Sequence, residues 1–253
     1  MKGIYMTKNN IFAIILLILL IICLAVLIVL NVNKYIINNS NNESNTPTNS
    51  EVDKVIMAST SDAGWNYIEK IYFVGDSTTY HFHKAGVNKS NLLVPESLTL
   101  LLDSSICDVT VGTTGLTIPE AIKVNNAEFV IITLGVNGAD RFSETSFKTY
   151  YNKLIDAIQQ ASPNTQIIIQ SAFPIAKWFS DKENGISNNG IDRLNAWAKE
   201  IAYDKNLPYL DTQSILKDSN GAMIGYYDEG DGVHMNADAY EQILDYIRTH
   251  AYQ

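Results

Sequence analysis

Ile11 to Leu30 is an unbroken apolar run of twenty residues with no Gly, Pro or charge. A helix rising about 1.5 Å per residue carries such a run across the ~30 Å hydrocarbon core of a bilayer. The apolar part of a cleavable secretory signal is shorter, about 7–15 residues, and ends in small residues. Asn31-Val32-Asn33-Lys34 offers no such exit, and Leu20-Ile21-Ile22 sets bulky side chains ahead of Cys23, where a lipoprotein site needs small ones. The pattern therefore predicts an uncleaved transmembrane helix over 11–30 behind a short cytoplasmic N-terminus, residues 1–10. Lys2 and Lys8 precede the span and only Lys34 follows it closely, which orients the rest of the chain outward.

Past the span the pattern dissolves. Residues 31–50 hold eight Asn together with Ser, Thr and Pro. Such a stretch buries too little apolar surface to offset the entropy of ordering it, so 31–61 is expected to be a flexible stalk. From about residue 62 onward, short apolar runs alternate with helical periodicity. Ile71–Val74, Cys107–Val111, Glu128–Leu134, Gln166–Gln170 and Leu207–Leu210 have strand length. Phe147, Tyr151, Leu154, Ile155 and Ile158 fall on one helical face, as do Ile191, Leu194, Ala198 and Ile201. A last helix is expected after Asn236 as N-cap, with Tyr240, Ile243, Leu244 and Ile247 inward. Apolar strands alternating with amphipathic helices predict one α/β domain, 62–253, whose five-stranded parallel sheet is covered on both faces.

Composition narrows the function. Of 253 residues, 46% are hydrophobic and 18% charged, which is enough to build a core. The net charge is −9. Without Lys2, Lys8 and Lys34, 15 of the 18 basic residues remain against all 27 acidic ones, leaving −12 on residues 35–253. That balance argues against a nucleic-acid partner. Two cysteines, one inside the predicted span, exclude a disulfide scaffold and a Cys-based zinc site.

In parallel α/β folds, ligands gather at the carboxyl ends of the strands. Gly75-Asp76-Ser77-Thr78-Thr79 follows the first run, Gly112-Thr113-Thr114-Gly115-Leu116-Thr117 the second, and Gly135-Val136-Asn137-Gly138 the third. Asp231-Gly232-Val233-His234 stands just before the last helix. Each block alone is weak, but together they close a chemistry. A serine at a strand-to-helix turn is a nucleophile only beside a base, which His234 can supply. Asp231, three residues earlier, can hold the imidazole tautomer. The developing oxyanion needs donors, for which the Ser77 amide, the Gly115 amide and the Asn137 side chain are candidates. No metal or organic cofactor is needed.

These four blocks resemble the GDSL/SGNH hydrolases, over about Tyr72 to Tyr246. The resemblance implies a flavodoxin-like three-layer α/β/α sandwich and a serine ester hydrolase. It makes Ser77 the nucleophile, His234 the base and Asp231 its orienter, with Ser77, Gly115 and Asn137 as the oxyanion hole. Gly115-Leu116-Thr117 resembles the family's Gly-x-Thr, which favours Gly115 over Gly112. One departure is Gly138, where the family usually has Asp; Asp140 is near but out of register. With an outward-facing body, the expected substrates are short acyl esters, acetyl first, on cell-wall or extracellular glycans. A lipid-directed esterase or lysophospholipase and a non-catalytic carbohydrate-binding module are the competing readings. Away from these blocks the bland assignments prevail: His81 and His83 as packing or solvated side chains, Cys107 as a core strand residue, Trp197 as core. Trp178 and Phe179, after the fourth run, are candidates for a substrate platform.

Overall fold

Strands β1 (Ile71–Gly75), β2 (Leu92–Leu93), β3 (Phe129–Thr133), β4 (Gln166–Gln170) and β5 (Tyr209–Leu210) form one sheet in a computed structural model of the protein. The residues described are 48–112, 115–182 and 185–253, with Val26 alone ahead of them. The strand order is 2-1-3-4-5 with every pairing parallel, the flavodoxin-like arrangement. Phe73 pairs with Leu92 on one side and Ile131 on the other, and Ile131 with Ile168, so the register sets like residues side by side.

Both faces of the central strands are apolar because both are covered. Val74, Val130, Ile132, Ile167 and Ile169 pack toward the helices Ile118–Val124, Glu144–Ala161 and Asn188–Asp204. Phe73, Ile131, Ile168 and Leu210 pack on the opposite side with the helix Ala237–Thr249. The expected helical faces are the buried ones, from Phe147 to Ile158 and from Ile191 to Ile201, and Tyr240, Ile243, Leu244 and Ile247 likewise. Each buried Leu, Ile or Phe among them contributes roughly 1.5–3 kcal/mol. Asn236 caps the last helix, accepting from the Ala239 amide at 3.1 Å.

Two expectations change. The second strand of the sheet is Leu92–Leu93, not Cys107–Val111. In the latter run Asp108 and Thr110 are exposed and only Val111 is buried; Thr110–Val111 pairs antiparallel with Leu116–Thr117 in a separate ribbon. Leu92, Leu93 and Val94 are all at most 5% exposed, so that shorter run, although it is the edge strand beside β1, is covered on both faces. Cys107 consequently lies in a half-buried turn, its thiol near the Lys153 carbonyl.

The second change concerns the stalk. Residues 11–30 and most of 31–61 lie outside the described residues, apart from Val26; among the described residues no helix is long and apolar enough to cross a membrane. The end of the expected stalk is docked on the body. Val52 is buried, Ile56 bridges Tyr209 in parallel, and the Met57 amide donates to the Tyr209 carbonyl at 2.9 Å. Ile56 and Met57 cover the open edge beside β5, and Val55 and Ile56 pack against the core.

Candidate active site

β1 ends at Gly75 and the chain turns at once into α1 (Ser77–Tyr80). Asp76 is the N-cap: its Oδ1 accepts from the Thr78 amide at 2.9 Å and the Thr78 hydroxyl at 2.7 Å. A Cβ on Gly75 would stand 1.9 Å from Thr79 Oγ1 and 2.7 Å from the Thr133 carbonyl oxygen. The second atom is main chain of the central strand and cannot give way. Gly75→Ala is therefore expected to lower unfolding free energy by about 1–3 kcal/mol and to misplace Ser77. Urea unfolding alongside ester turnover checks both, and an unchanged midpoint would refute the crowding argument.

Asp76 is 1% exposed, and burial raises its pKa; hydrogen bonds from Thr78 and the proximity of His234 offset part of the rise. Its Oδ2 accepts from Asn137 Nδ2 at 3.0 Å. This bond ties the ends of β1 and β3 together. It gives the first loop a support that does not use position 138, where Gly138 adopts a left-handed φ of 88°. Asp140, the neighbour out of register, instead accepts from Ser187 Oγ at 2.7 Å and faces the start of the helix Asn188–Asp204.

The C-terminal loop brings the other two groups. Gly232 has φ 83°, and a Cβ there would sit 2.5 Å from Phe179 Cβ, so the turn needs glycine. Asp231 Oδ1 accepts from the amides of Val233 and His234, both at 2.8 Å. Its Oδ2 lies 2.6 Å from His234 Nδ1, and His234 Nε2 lies 2.8 Å from Ser77 Oγ. A carboxylate only accepts, so Nδ1 carries the proton and Nε2 is free to accept from the serine hydroxyl. Burial works to raise the Asp231 pKa, but the bonds from His234 and the two amides outweigh it and bring it to about 2.

Of the oxyanion candidates, Ser77 opens a helix, where the first amides have no intrahelical acceptor. Asn137 reaches the Ser77 loop through Asp76. Gly115 is exposed with φ 70°, at the start of the short ribbon. The Gly112 amide is committed to the Val94 carbonyl at 3.0 Å, which removes it as a donor.

The other side chains singled out in the sequence have definite places. His81 packs, one of its two expected assignments, and its partner is the His234 ring, with centroids 4.7 Å apart. His83 donates from Nδ1 to the Tyr80 carbonyl at 2.7 Å, and among the described residues no cluster fit to hold a metal ion occurs. Trp178 and Phe179 lie against Gly232, and the Trp178 indole N–H donates to Asp228 at 2.9 Å. Asp228 also accepts from the amides of Gly230 and Gly232, so it shapes the loop that aims Asp231. Trp197 packs on Phe147 in the core. Asp228's role, and the bond from the hydroxyl of Tyr240, an expected core residue, to the Thr78 carbonyl at 2.6 Å, are not visible in the sequence. Both act through loop contacts that no spacing announces.

The series Asp231–His234–Ser77 withdraws a proton from a serine hydroxyl, the device that makes serine attack an acyl carbon. On a sheet of this topology it marks a serine hydrolase. The chain belongs to the GDSL-like lipase/acylhydrolase family, whose model matches residues 73–242, and it is an ester hydrolase of that type. Its fold is similar to that of a Streptococcus pneumonia protein assigned as a platelet activating factor, with 15% identity, covering 80% of this chain and 94% of that one, at a TM-score of 0.52. It is also similar to a GDSL-like lipase from Bacteroides thetaiotaomicron, with 16% identity, covering 74% and 89%, at a TM-score of 0.51. At these identities the likeness is one of fold. No curated protein matches the sequence significantly.

Proposed function

We propose that this protein is a membrane-anchored, extracytoplasmic esterase that removes short acyl groups, acetyl first, from cell-wall or extracellular glycans. The carrying observation for the chemistry is the hydrogen-bonded series at 2.6 and 2.8 Å joining Asp231, His234 and Ser77. Ser77 Oγ attacks the ester carbonyl while His234 Nε2 takes its proton, and Asp231 stabilises the imidazolium. The oxyanion is received by the amides of Ser77 and Gly115 and by the second N–H of the Asn137 side chain. His234 then returns the proton to the leaving alcohol, and water repeats the sequence on the acyl-enzyme.

The apolar run 11–30 and the outward charge asymmetry support the location. An indole 45% exposed at Trp178, beside the loop of Asp231 and His234 and with the Lys182 ammonium 4.2 Å over its ring, supports a glycan, because that ammonium can donate to sugar hydroxyls beside the aromatic surface. A specific observation favours the lipid reading as well. A cavity of about 680 Å³, lined by Leu92, Leu93, Leu98, Val111, Leu116 and Val124, reaches Tyr80 on α1, and it can take a longer acyl chain.

Hydrolysis of p-nitrophenyl acetate, butyrate and octanoate by the full chain separates the two. A kcat/KM at least about tenfold higher for acetate is expected for the glycan esterase, since an octanoyl chain has nothing to gain in a short acyl site. The reverse order assigns the apolar cavity to the acyl chain. No turnover dependent on Ser77 would leave the binding-module reading. Protease added to intact cells should remove the body without lysis; protection would overturn the location.

A further inference from the structure

Ser77 and His234 come from loops far apart in sequence, and the turn after α1 reaches back to the second of them. That turn, His81–Ala85, carries His81 against the His234 ring and Lys84 beside it. The Lys84 ammonium meets three acceptors: His81 Nδ1 at 3.2 Å, the Glu229 carboxylate in an ion pair, and the Met235 carbonyl at 3.4 Å. Glu229 and Met235 bracket Asp231 and His234 on the C-terminal loop. An ammonium has only donors, so His81 Nδ1 must accept and the His81 proton sits on Nε2.

We infer that Lys84 is a positioning residue for the triad, strapping the loop of Asp231 and His234 to the turn after Ser77 and holding His81 as a neutral, Nε2-protonated ring against His234. The inference rests on the esterase reading of Ser77 and His234. Its chemical point is charge. When His234 takes the serine proton it becomes a cation, and a protonated His81 at ring contact would oppose it. The groups facing His81 are Lys84 and His83 on its own turn, His234 and Glu229 from the C-terminal loop, and the hydroxyl-bearing rings of Tyr80 and Tyr240. Only Glu229 favours a charged His81, and Glu229 is paired with Lys84. Burial first, then the charges of Lys84 and His234, bring the His81 pKa down to about 4. The ring is therefore neutral wherever the triad works above that pH.

The test is Lys84→Met in the full chain, read by imidazole 15N spectra and by kinetics on a short acyl ester. In the wild type His81 is expected as the Nε2–H tautomer, titrating near pH 4. In Lys84→Met the tautomer preference is lost and the midpoint rises toward the ordinary value of about 6.5. Meanwhile kcat falls about 10- to 100-fold with KM nearly unchanged, as for a misplaced catalytic group. The loss should deepen as pH falls through the new His81 midpoint. Adding His81→Gln should remove that acid-side part alone, and Lys84→Arg should restore most of kcat. A merely structural Lys84 would leave the acid-side deficit untouched by His81→Gln. A Lys84→Met protein with wild-type kcat and an unmoved His81 titration overturns the inference, while loss of turnover in Ser77→Ala still upholds the esterase reading. Full turnover in Ser77→Ala overturns that reading and the positioning role of Lys84 with it. If Lys84→Met does not fold, Lys84→Gln with the same spectra decides the question, because a neutral amide also lacks the ammonium charge.

Discussion

Replacing Ser77 by Ala should reduce kcat on a short acyl ester by about 10⁴-fold or more. The serine hydroxyl is the group aligned with the lone pair of His234 Nε2, at 2.8 Å, and alanine leaves the base with nothing to deprotonate except water. What survives is the part of the rate that substrate positioning and the oxyanion donors supply without a nucleophile, about 10³–10⁴ over uncatalysed hydrolysis. Stability should hardly change. The hydroxyl is half-buried and caps nothing; the N-cap bonds to Thr78 belong to Asp76. The loss is therefore catalytic, and a urea midpoint within experimental error of wild type is part of the expected result. Initial rates on p-nitrophenyl acetate, with covalent labelling by a serine-directed fluorophosphonate as a second readout, check the claim. Labelled Ser77→Ala protein, or turnover within about tenfold of wild type, would remove Ser77 from the chemistry.

The parts of this molecule that were legible in its sequence are those where one physical rule acts alone. The faces of the long helices follow from period and burial, and Phe147 to Ile158 lies on the core for that reason. The strand ends are legible because parallel sheets collect ligands there, which sets Ser77 and Asn137 on one edge of the sheet with the Asp231–His234 loop as their complement. The second strand was misjudged because Leu92-Leu93 is short, while Cys107–Val111 has strand length but turns Asp108 and Thr110 to solvent. Burial of the neighbouring elements, not local pattern, decides between them. The same limit hid the docking of Ile56 and Met57, since a sheet edge in need of cover is not visible in the covering segment. It also hid the contact of His81 with His234 and the link from Asp76 to Asn137, which join residues 153 and 61 positions apart. Gly138 looked like a loss of loop support. The structure shows the support coming from Asn137 to Asp76, while position 138 needs a left-handed backbone.

Asp231→Asn should cost about 10⁴-fold in kcat, and the reason lies in the main chain. Asp231 Oδ1 accepts two amide hydrogens, from Val233 and His234, at 2.8 Å each. An asparagine at 231 must keep its oxygen on those amides, because turning its NH₂ toward them would set donor against donor. The NH₂ then points at His234 Nδ1, forces that nitrogen to accept, and moves the imidazole proton to Nε2, where it faces Ser77 instead of withdrawing its proton. Asp231→Ala has no such constraint and leaves the tautomer free, so it should be no worse than the isosteric change, against the usual ranking of substitutions. Asp228→Asn is the matched control. Asp228 lies in the same loop but serves Trp178 and two glycine amides, and its loss should leave the tautomer intact. Rates for the three variants, with 15N spectra assigning the His234 tautomer, test the argument. A wild-type rate in Asp231→Asn, or an Nδ1–H tautomer retained there, would show that the carboxylate does not set the base. The pH response has a definite sign. Asp231 is held near a pKa of about 2 in the folded chain, below its ordinary 3.8. Its ionised form therefore adds stability above pH 3.8 that disappears as pH falls through about 2. Asp231→Asn should lose that contribution at pH 7 and flatten the fall in stability between about pH 4 and 2, while the fold itself persists, so that lost activity and retained structure at pH 7 are seen in the same sample.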